Sequence, residues 1–295
     1  MTTFAQFVLD ALSFGSTYAL LALGLTLLFG VMGLVNFAYG ALIVWCGYVL
    51  VVLAPWDLPF ALVVVLVIAA ATALSLLVGQ LAFRPFKSAP PLTLMLTSFG
   101  VAMALQALAI LVFGQASRVV PLPAALGTVW HLGEVRVSVL QVVTIGAGAF
   151  VMAGLYGLLR RTTIGLQIRA VAEDTETARQ MGVRADRVLT WAFAASGAIA
   201  GIVAILWLAK IGTVSPGAFL APTFKAFIAI VLGGLGSVRG ALIGGLVLGL
   251  FEASLATYLP DAMLSYQQAI AFGLVIAVLV VRPSGIVGRV VEVSK

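Results

Sequence analysis

A chain of 295 residues that is 63% hydrophobic and 9% charged, with a formal net charge of +6 and a mean hydropathy of +1.21, is not a soluble domain, where about a quarter of residues carry charge. Its apolar runs are long and continuous rather than alternating in ten-residue pieces. That excludes a membrane β-barrel and leaves an all-α, polytopic helical membrane protein, with basic residues beside the span ends as the positive-inside rule requires rather than as a nucleic-acid surface.

The first span is expected over residues 8–29 and the second over 34–53. Between them, FGVMGLVNFAYG sets Gly30, Gly33 and Gly40 among the polar Asn36 and Tyr39, and glycines that each cost about 1 kcal/mol relative to Ala in a helix predict a bend there. No basic segment precedes the first run, which is too long for a cleaved signal peptide, so the N-terminus is expected to be retained. Cys46 is the only cysteine, which rules out an intramolecular disulfide, and is expected to pack as a small hydrophobe. APWDLP makes a short turn before a third span at 60–81, ended by Arg84, Pro85, Lys87, Pro90 and Pro91, and a fourth lies at 92–113. Loop 114–137 follows, where VWHLGEVRVSV alternates like a hairpin around Gly133-Glu134. The fifth and sixth spans are expected at 138–159 and 188–209. An IGTVSPGAFLAP loop then leads to a short apolar piece at 226–235, the glycine cluster GGLGSVRG, and spans at 241–259 and 266–281 before Arg282, Pro283, Arg289 and Lys295.

Lys/Arg asymmetry assigns segment 160–187 and the C-terminal tail to the cytoplasm and loop 114–137 to the outside, with Arg118 and Arg136 as exceptions. If 226–235 crosses, there are nine spans and an external N-terminus; if it is re-entrant, there are eight.

Much chemistry is missing. None of the four lysines follows a GxxxxGK[ST] phosphate cradle, no metal-ligand spacing occurs, and the single histidine, His131, lies in a loop. This is therefore read as a non-enzyme with no metal or other cofactor of its own. Glu252 is the one carboxylate placed well inside a predicted span. An intramembrane charge is a functional hypothesis by default, set against a protonated or Arg-paired structural carboxyl with Ser254 and Tyr258 as company. Gly236, Gly240 and Gly244, the overlapping Gly245/Gly249, and Gly197/Gly201 have the small-xxx-small spacing of close helix packing, whereas the tight cluster Gly233, Gly234 and Gly236 beside Ser237 fits a non-helical break lining a cavity. Gly40-Ala41-Leu42-Ile43 recurs as Gly240-Ala241-Leu242-Ile243. Because interrupted helices of repeated halves meet at substrate paths, the echo marks Asn36, Tyr39 and Gly40 together with Gly233–Gly240 as path elements.

Segment 160–187 is a charged island holding six of the sixteen basic residues and four of the ten acids. Ile168, Val171, Ala172, Ala178 and Met181 follow helical spacing, with Arg169, Glu173, Glu176 and Gln180 on the opposite face. Asp174 as N-cap and Gly182 as stop frame a short helix over 174–181. Its acids and lack of bulky anchors favour a protein partner over a bed in the lipid headgroups.

GLTLLFGVMGLVNFAYGALIVWCGY (24–48), IGLQIRAVAEDTETARQMGV (164–183), KAFIAIVLGGLGSVRGALIGGLVLG (225–249) and AIAFGLVIAVLVVRPSGIVG (269–288) strongly resemble permease subunits of branched-chain amino acid ABC importers, the first and shorter of the two paired permeases. The family usually carries His where Tyr39 stands, a change that either bears on cargo or is an equivalent aromatic. The resemblance implies a type II-like permease core with pseudo-repeated halves, forming a single transmembrane domain over 1–295. Its implied partners are a second homologous permease, two cytoplasmic ATPases holding the ATP and Mg, and an extracytoplasmic binding protein. The island becomes the coupling helix, with Arg169, Ala170, Ala172, Glu173, Asp174, Ala178, Arg179 and Gly182 in the family's loop pattern. Similar permeases carry urea, short amides or other amino acids, which is the alternative reading. A stand-alone secondary transporter or channel fits less well, given so few intramembrane ionisable groups.

Overall fold

The computed structural model describes residues 2–86, 89–132, 135–260, 266–282 and 285–287; Lys87, Gly133, Glu134, Pro283, Arg289 and Lys295 lie outside them. The described chain is a helical bundle. Its helices are α1 (Thr2–Met32), α2 (Ala38–Leu53), α3 (Phe60–Val78), α4 (Pro91–Phe113), α5 (Val139–Arg161), α6 (Thr163–Glu173), α7 (Thr175–Gln180), α8 (Ala185–Ile211), α9 (Leu220–Gly233), α10 (Val238–Tyr258) and α11 (Gln267–Val281). Eight helical stretches are long and apolar enough to cross a membrane: α1 to α5, α8, α9 with its leading turn, and α10; α11 is shorter and also apolar.

α1 is the hub. Predominantly apolar beyond Tyr18, it packs on α10, α8, α9 and α5, and from Tyr18 to Leu28 almost every side chain is buried. Glycines set its closest contact: Gly245 lies on the backbone of Ala19 and Gly249 on that of Gly15, so α10 runs antiparallel to α1 at backbone distance. Gly244 and Gly240 present the next face of α10 to Ala229 and Gly233 of α9, and Gly197 and Gly201 fit α8 against Ser75 and Ile68 of α3. The small-residue ladders are helix interfaces, the arrangement by which membrane helices gain dispersion contacts.

Four short strands mark one end of the bundle. β2 (Val129–Leu132) and β3 (Val135–Ser138) form the expected hairpin, in register Leu132↔Val135. β1 (Arg118–Val119) pairs antiparallel with β4 (Thr213–Val214), tying together two connections that look unrelated in sequence. The Arg136 N–H donates to Gln6 Oε1 at 3.0 Å, and the Phe7 and Tyr258 rings lie 6.0 Å apart, so this hairpin end also holds the start of α1 and the end of α10. At the opposite, island end, Met32 shares a cavity with Arg179, and Gly236 sits beside Phe29.

One expectation about the path of the chain is corrected. The loop written as IGTVSPGAFLAP is largely structured, and the apolar piece 226–235 is, as far as Gly233, the latter part of an 18-residue helical stretch, Pro216–Gly233. Pro216 begins a 3-10 turn and Pro222 falls in the first turn of α9, positions where a missing N–H removes no intrahelical bond. In sequence alone the two prolines have the look of breakers, and the helix therefore reads shorter than it is.

Candidate functional site

The interior polar residues converge. Tyr18 of α1 donates its hydroxyl to one oxygen of Glu252 on α10, and Lys225 of α9 pairs with the other oxygen. Lys225 Nζ also lies 3.1 Å from the Tyr18 hydroxyl and 4.8 Å from the centre of its ring. Beside this trio, Lys210 of α8 donates to the Ser13 carbonyl at 3.2 Å and the Thr17 hydroxyl at 3.0 Å, above the Phe14 ring. Asp10 of α1 is half-buried and accepts from Gln141 Nε2 at 2.6 Å.

The structural alternative for Glu252 is therefore corrected in its partners. Among the described residues the cation paired with Glu252 is Lys225, while the Ser254 hydroxyl turns back to the Leu250 carbonyl and Tyr258 meets Phe7. Glu252 is also not alone: Asp10, Lys210 and Lys225 all lie within helices, where shortened spans left them in loops or at the rim. The missed signal was the hairpin itself. An antiparallel pair joined through a glycine break brings the one lysine of α9 to the level of the one carboxylate of α10.

A cavity of about 300 Å³ opens beside Lys225 and Glu252, walled by Leu220, Phe224, Ile228 and Phe272. The pair thus faces space rather than sealed core.

Asn36, Tyr39 and Gly40 occupy the first break. Gly33 turns the chain at φ +69°, and Asn36, fully buried, accepts the Ala38 N–H at 3.0 Å on its Oδ1 to start α2. Among the described residues the Asn36 Nδ2 and the Tyr39 hydroxyl, both buried, have no hydrogen-bond partner. Leaving such a group unsatisfied costs about 1–3 kcal/mol. Gly40 admits no side chain, because a Cβ would strike the Phe219 carbonyl and the Thr223 hydroxyl of α9.

The second break repeats this grammar. Gly234 and Gly236 take positive φ, and the Ser237 hydroxyl accepts the Gly240 N–H at 3.1 Å to open α10. Gly233 and Gly234 are buried at the island end, where the Ile286 and Val287 N–H groups close the Leu232 and Gly233 carbonyls, while Gly236 is exposed. Gly40 and Gly240 both abut α9, so the four-residue echo corresponds to two helix–break–helix units meeting on one helix.

The island folds as α6 and α7. Thr162 caps α6, which buries Gly165, Ile168 and Val171. Asp174 ends α6 and caps α7, accepting the Glu176 and Thr177 N–H groups at 2.9 and 3.2 Å and the Thr177 hydroxyl; Gly182 follows at φ +84°. The single continuous face is corrected: Asp174 divides it, so Arg169 and Glu173 belong to α6 and Glu176 and Gln180 to α7. Of the expected apolar set, Ile168, Val171 and Ala178 are buried, whereas Ala172 and Met181 are exposed, Met181 by 80%. Ala170 is partly buried, and Arg169, Glu173, Arg179 and Gly182 are exposed.

The hydrogen bond from the Thr177 hydroxyl, with those from the Thr177 and Glu176 backbone, holds the Asp174 carboxyl below the usual carboxylate range. A lowered native pKa means that the cap is fully present above the ordinary value near pH 4 and is lost only as pH falls through the native one. Asp174→Ala is expected to raise amide exchange at residues 176–178, corrected for intrinsic rate, to the level the unaltered chain reaches only in strong acid. Unchanged protection at neutral pH would remove Asp174 as the cap.

Residues 7–279 match the family model described as branched-chain amino acid transport system / permease component. The chain is 32% identical over 300 residues to the high-affinity branched-chain amino acid transport system permease protein BraD of Pseudomonas aeruginosa, covering 97% of this chain and 96% of that one. It is 33% identical to the corresponding permease protein LivH of Escherichia coli K12 over 302 residues, and to that of Salmonella typhimurium over 300, with the same coverage. No solved structure matches.

Proposed function

Because the chain belongs to the permease-component family of branched-chain amino acid transport systems, we propose that it is the membrane-spanning subunit of an ATP-binding cassette importer that carries leucine, isoleucine and valine across the bacterial plasma membrane. The observation that carries this reading is likeness over 97% of the chain, which takes in both helix–break–helix units and the island.

In this reading the island end is cytoplasmic and the hairpin end external, with the N-terminus outside and residues 285–287 inside. The arginine-rich island supports that orientation. Arg118 weighs little against it, since its guanidinium donates to the Phe113 carbonyl at 2.8 Å and caps α4. The whole chain is one permease domain. It works with a second permease, an extracytoplasmic binding protein that delivers cargo, and two ATPases that hold the ATP and Mg; the chain itself has no phosphate-cradle motif.

α7, with Arg169, Ala170, Ala172 and Glu173 of α6 leading into it, is the coupling element. α6 packs on α1, α5 and α8, so a push on α7 reaches the hub helix through one rigid segment. The breaks at Asn36–Gly40 and Gly233–Ser237 flank α9 and convert that push into alternating access, with Glu252 along the path. The decisive experiment is uptake of labelled leucine by cells lacking their own system and supplied with this chain, its paired permease, ATPases and binding protein. Uptake that persists without this chain, or that ignores ATP depletion, would refute the reading.

Asn36 gives a sharper test. Asn36→Leu exchanges a buried amide for an apolar group of similar size and gives up the Ala38 N–H cap, a loss of about 1 kcal/mol that leaves the bundle inserted at its normal membrane level. Uptake should fall roughly tenfold if the Nδ2 group serves a passing polar solute, the worth of about one hydrogen bond. Unchanged kinetics would take Asn36 out of the path.

A further inference from the structure

We propose that Lys225 and Glu252, with Tyr18 behind them, form a binding station for the α-ammonium and α-carboxylate groups of a zwitterionic amino acid, whose aliphatic side chain lies against Leu220, Phe224, Ile228 and Phe272. This rests on the importer reading and assigns the place in this subunit where cargo is first held.

A buried ion pair is a poor stabiliser. Well-packed apolar residues of similar size do as well or better, and charge within a membrane span is costly. A pair kept at such a place needs another use, and this one borders a cavity of about 300 Å³, within the range of small-molecule sites. The cavity reaches from Gly217 and Ala218, in the turn at the hairpin end, down to the pair. Glu252 lies about 9 Å below the end of α10 at 1.5 Å per residue, so the station sits just inside the external mouth.

The charges select the ligand. Lys225 and Glu252 sum to zero, and a zwitterion can insert between them with every charge repaired: its carboxylate takes Lys225 and its ammonium takes Glu252. Tyr18, donating to Glu252, keeps that carboxylate in place throughout. A lone carboxylic acid or a lone amine leaves one protein charge stranded in a low-dielectric setting, the costly outcome for a buried pair. The walls carry no further polar side chain among the lining residues, which suits an aliphatic side chain.

The test places a reporter in the cavity wall. In the assembled importer in lipid, without the binding protein, Phe224→Cys offers a reactive thiol, since the native Cys46 is 2% exposed. Millimolar L-leucine is expected to slow maleimide labelling at least about fivefold, as a ligand above its dissociation constant covers the position most of the time. 4-Methylpentanoate and 3-methylbutylamine, each with the same branched tail and one charge, should give no protection. Lys225→Met combined with Glu252→Gln leaves no stranded charge, so membrane level should hold while both protection and leucine uptake are lost. Equal protection by all three compounds, or none by leucine, overturns the station. So does full uptake by the double variant. If leucine protects but the complete importer fails to take it up, the station stands and the importer reading fails; uptake without protection is the reverse.

Discussion

Ala178→Asp is expected to abolish leucine uptake while leaving the chain inserted in the membrane at its normal level. Ala178 is 3% exposed and joins the continuous apolar core from its place on α7. A carboxylate there must either be stripped of water or lift the helix, and an unpaired buried charge costs several kcal/mol. Lifting is the easier course, because α7 is six residues long, packs mainly on α6 and α8, and spans a cavity of about 350 Å³ lined by Val31, Met32 and Phe83. Met181→Asp approaches the same function from outside: Met181 is 80% exposed, so its loss has no folding cost, yet it removes the most prominent apolar knob a partner could grip. ATP-dependent uptake and immunoblots of the membrane fraction measure both variants. Normal uptake by Ala178→Asp at unchanged membrane level would end the coupling assignment.

Gly249→Leu is expected to deplete folded protein rather than impair transport selectively. A Cβ at Gly249 would overlap the Gly15 backbone, and no flexible side chain is available to yield. α1 and α10 would have to separate along the longest interface of the bundle, placing the cost at or above the upper end of the overpacking range, about 3 kcal/mol, or roughly a hundredfold in a folding equilibrium. Gly146→Leu on α5 is the control, since a Cβ there meets nothing within 4 Å. Thermal stability of the detergent-solubilised chain should fall sharply for the first and hold for the second. Equal stability would mean that α1 and α10 do not meet through glycine.

Sequence patterning located most of the fold because hydropathy reports directly on what lipid will accept. The apolar runs predicted the helices, and Asp174 and Gly182 predicted the limits of α7 to within a residue or so, because caps are local chemistry. Pairing between distant residues was harder to read. The β1–β4 ladder joins residues about a hundred positions apart through backbone atoms, which carry no side-chain signature. Lys225 is hidden for a different reason: Pro222 has the look of a helix breaker, which puts the lysine in a loop and out of reach of Glu252. Of the buried polar residues, Asn36 stands out in the sequence as a polar group in an apolar run, whereas Tyr18 does not, because tyrosine is common enough in spans to pass unremarked until its hydroxyl is seen on a carboxylate.

Glycine against backbone leaves nothing compressible between α1, α10 and α9. Side chains can rock, trade rotamers or slide past one another; two main chains in contact can only stay or part. The three helices therefore behave as a slab, and Tyr18, Lys225 and Glu252 are each fixed to a different layer of it. In the importer proposed above, a push carried through α6 to α1 would therefore move α1, α9 and α10 as one piece against the helices around them, with the charged trio riding on it unchanged.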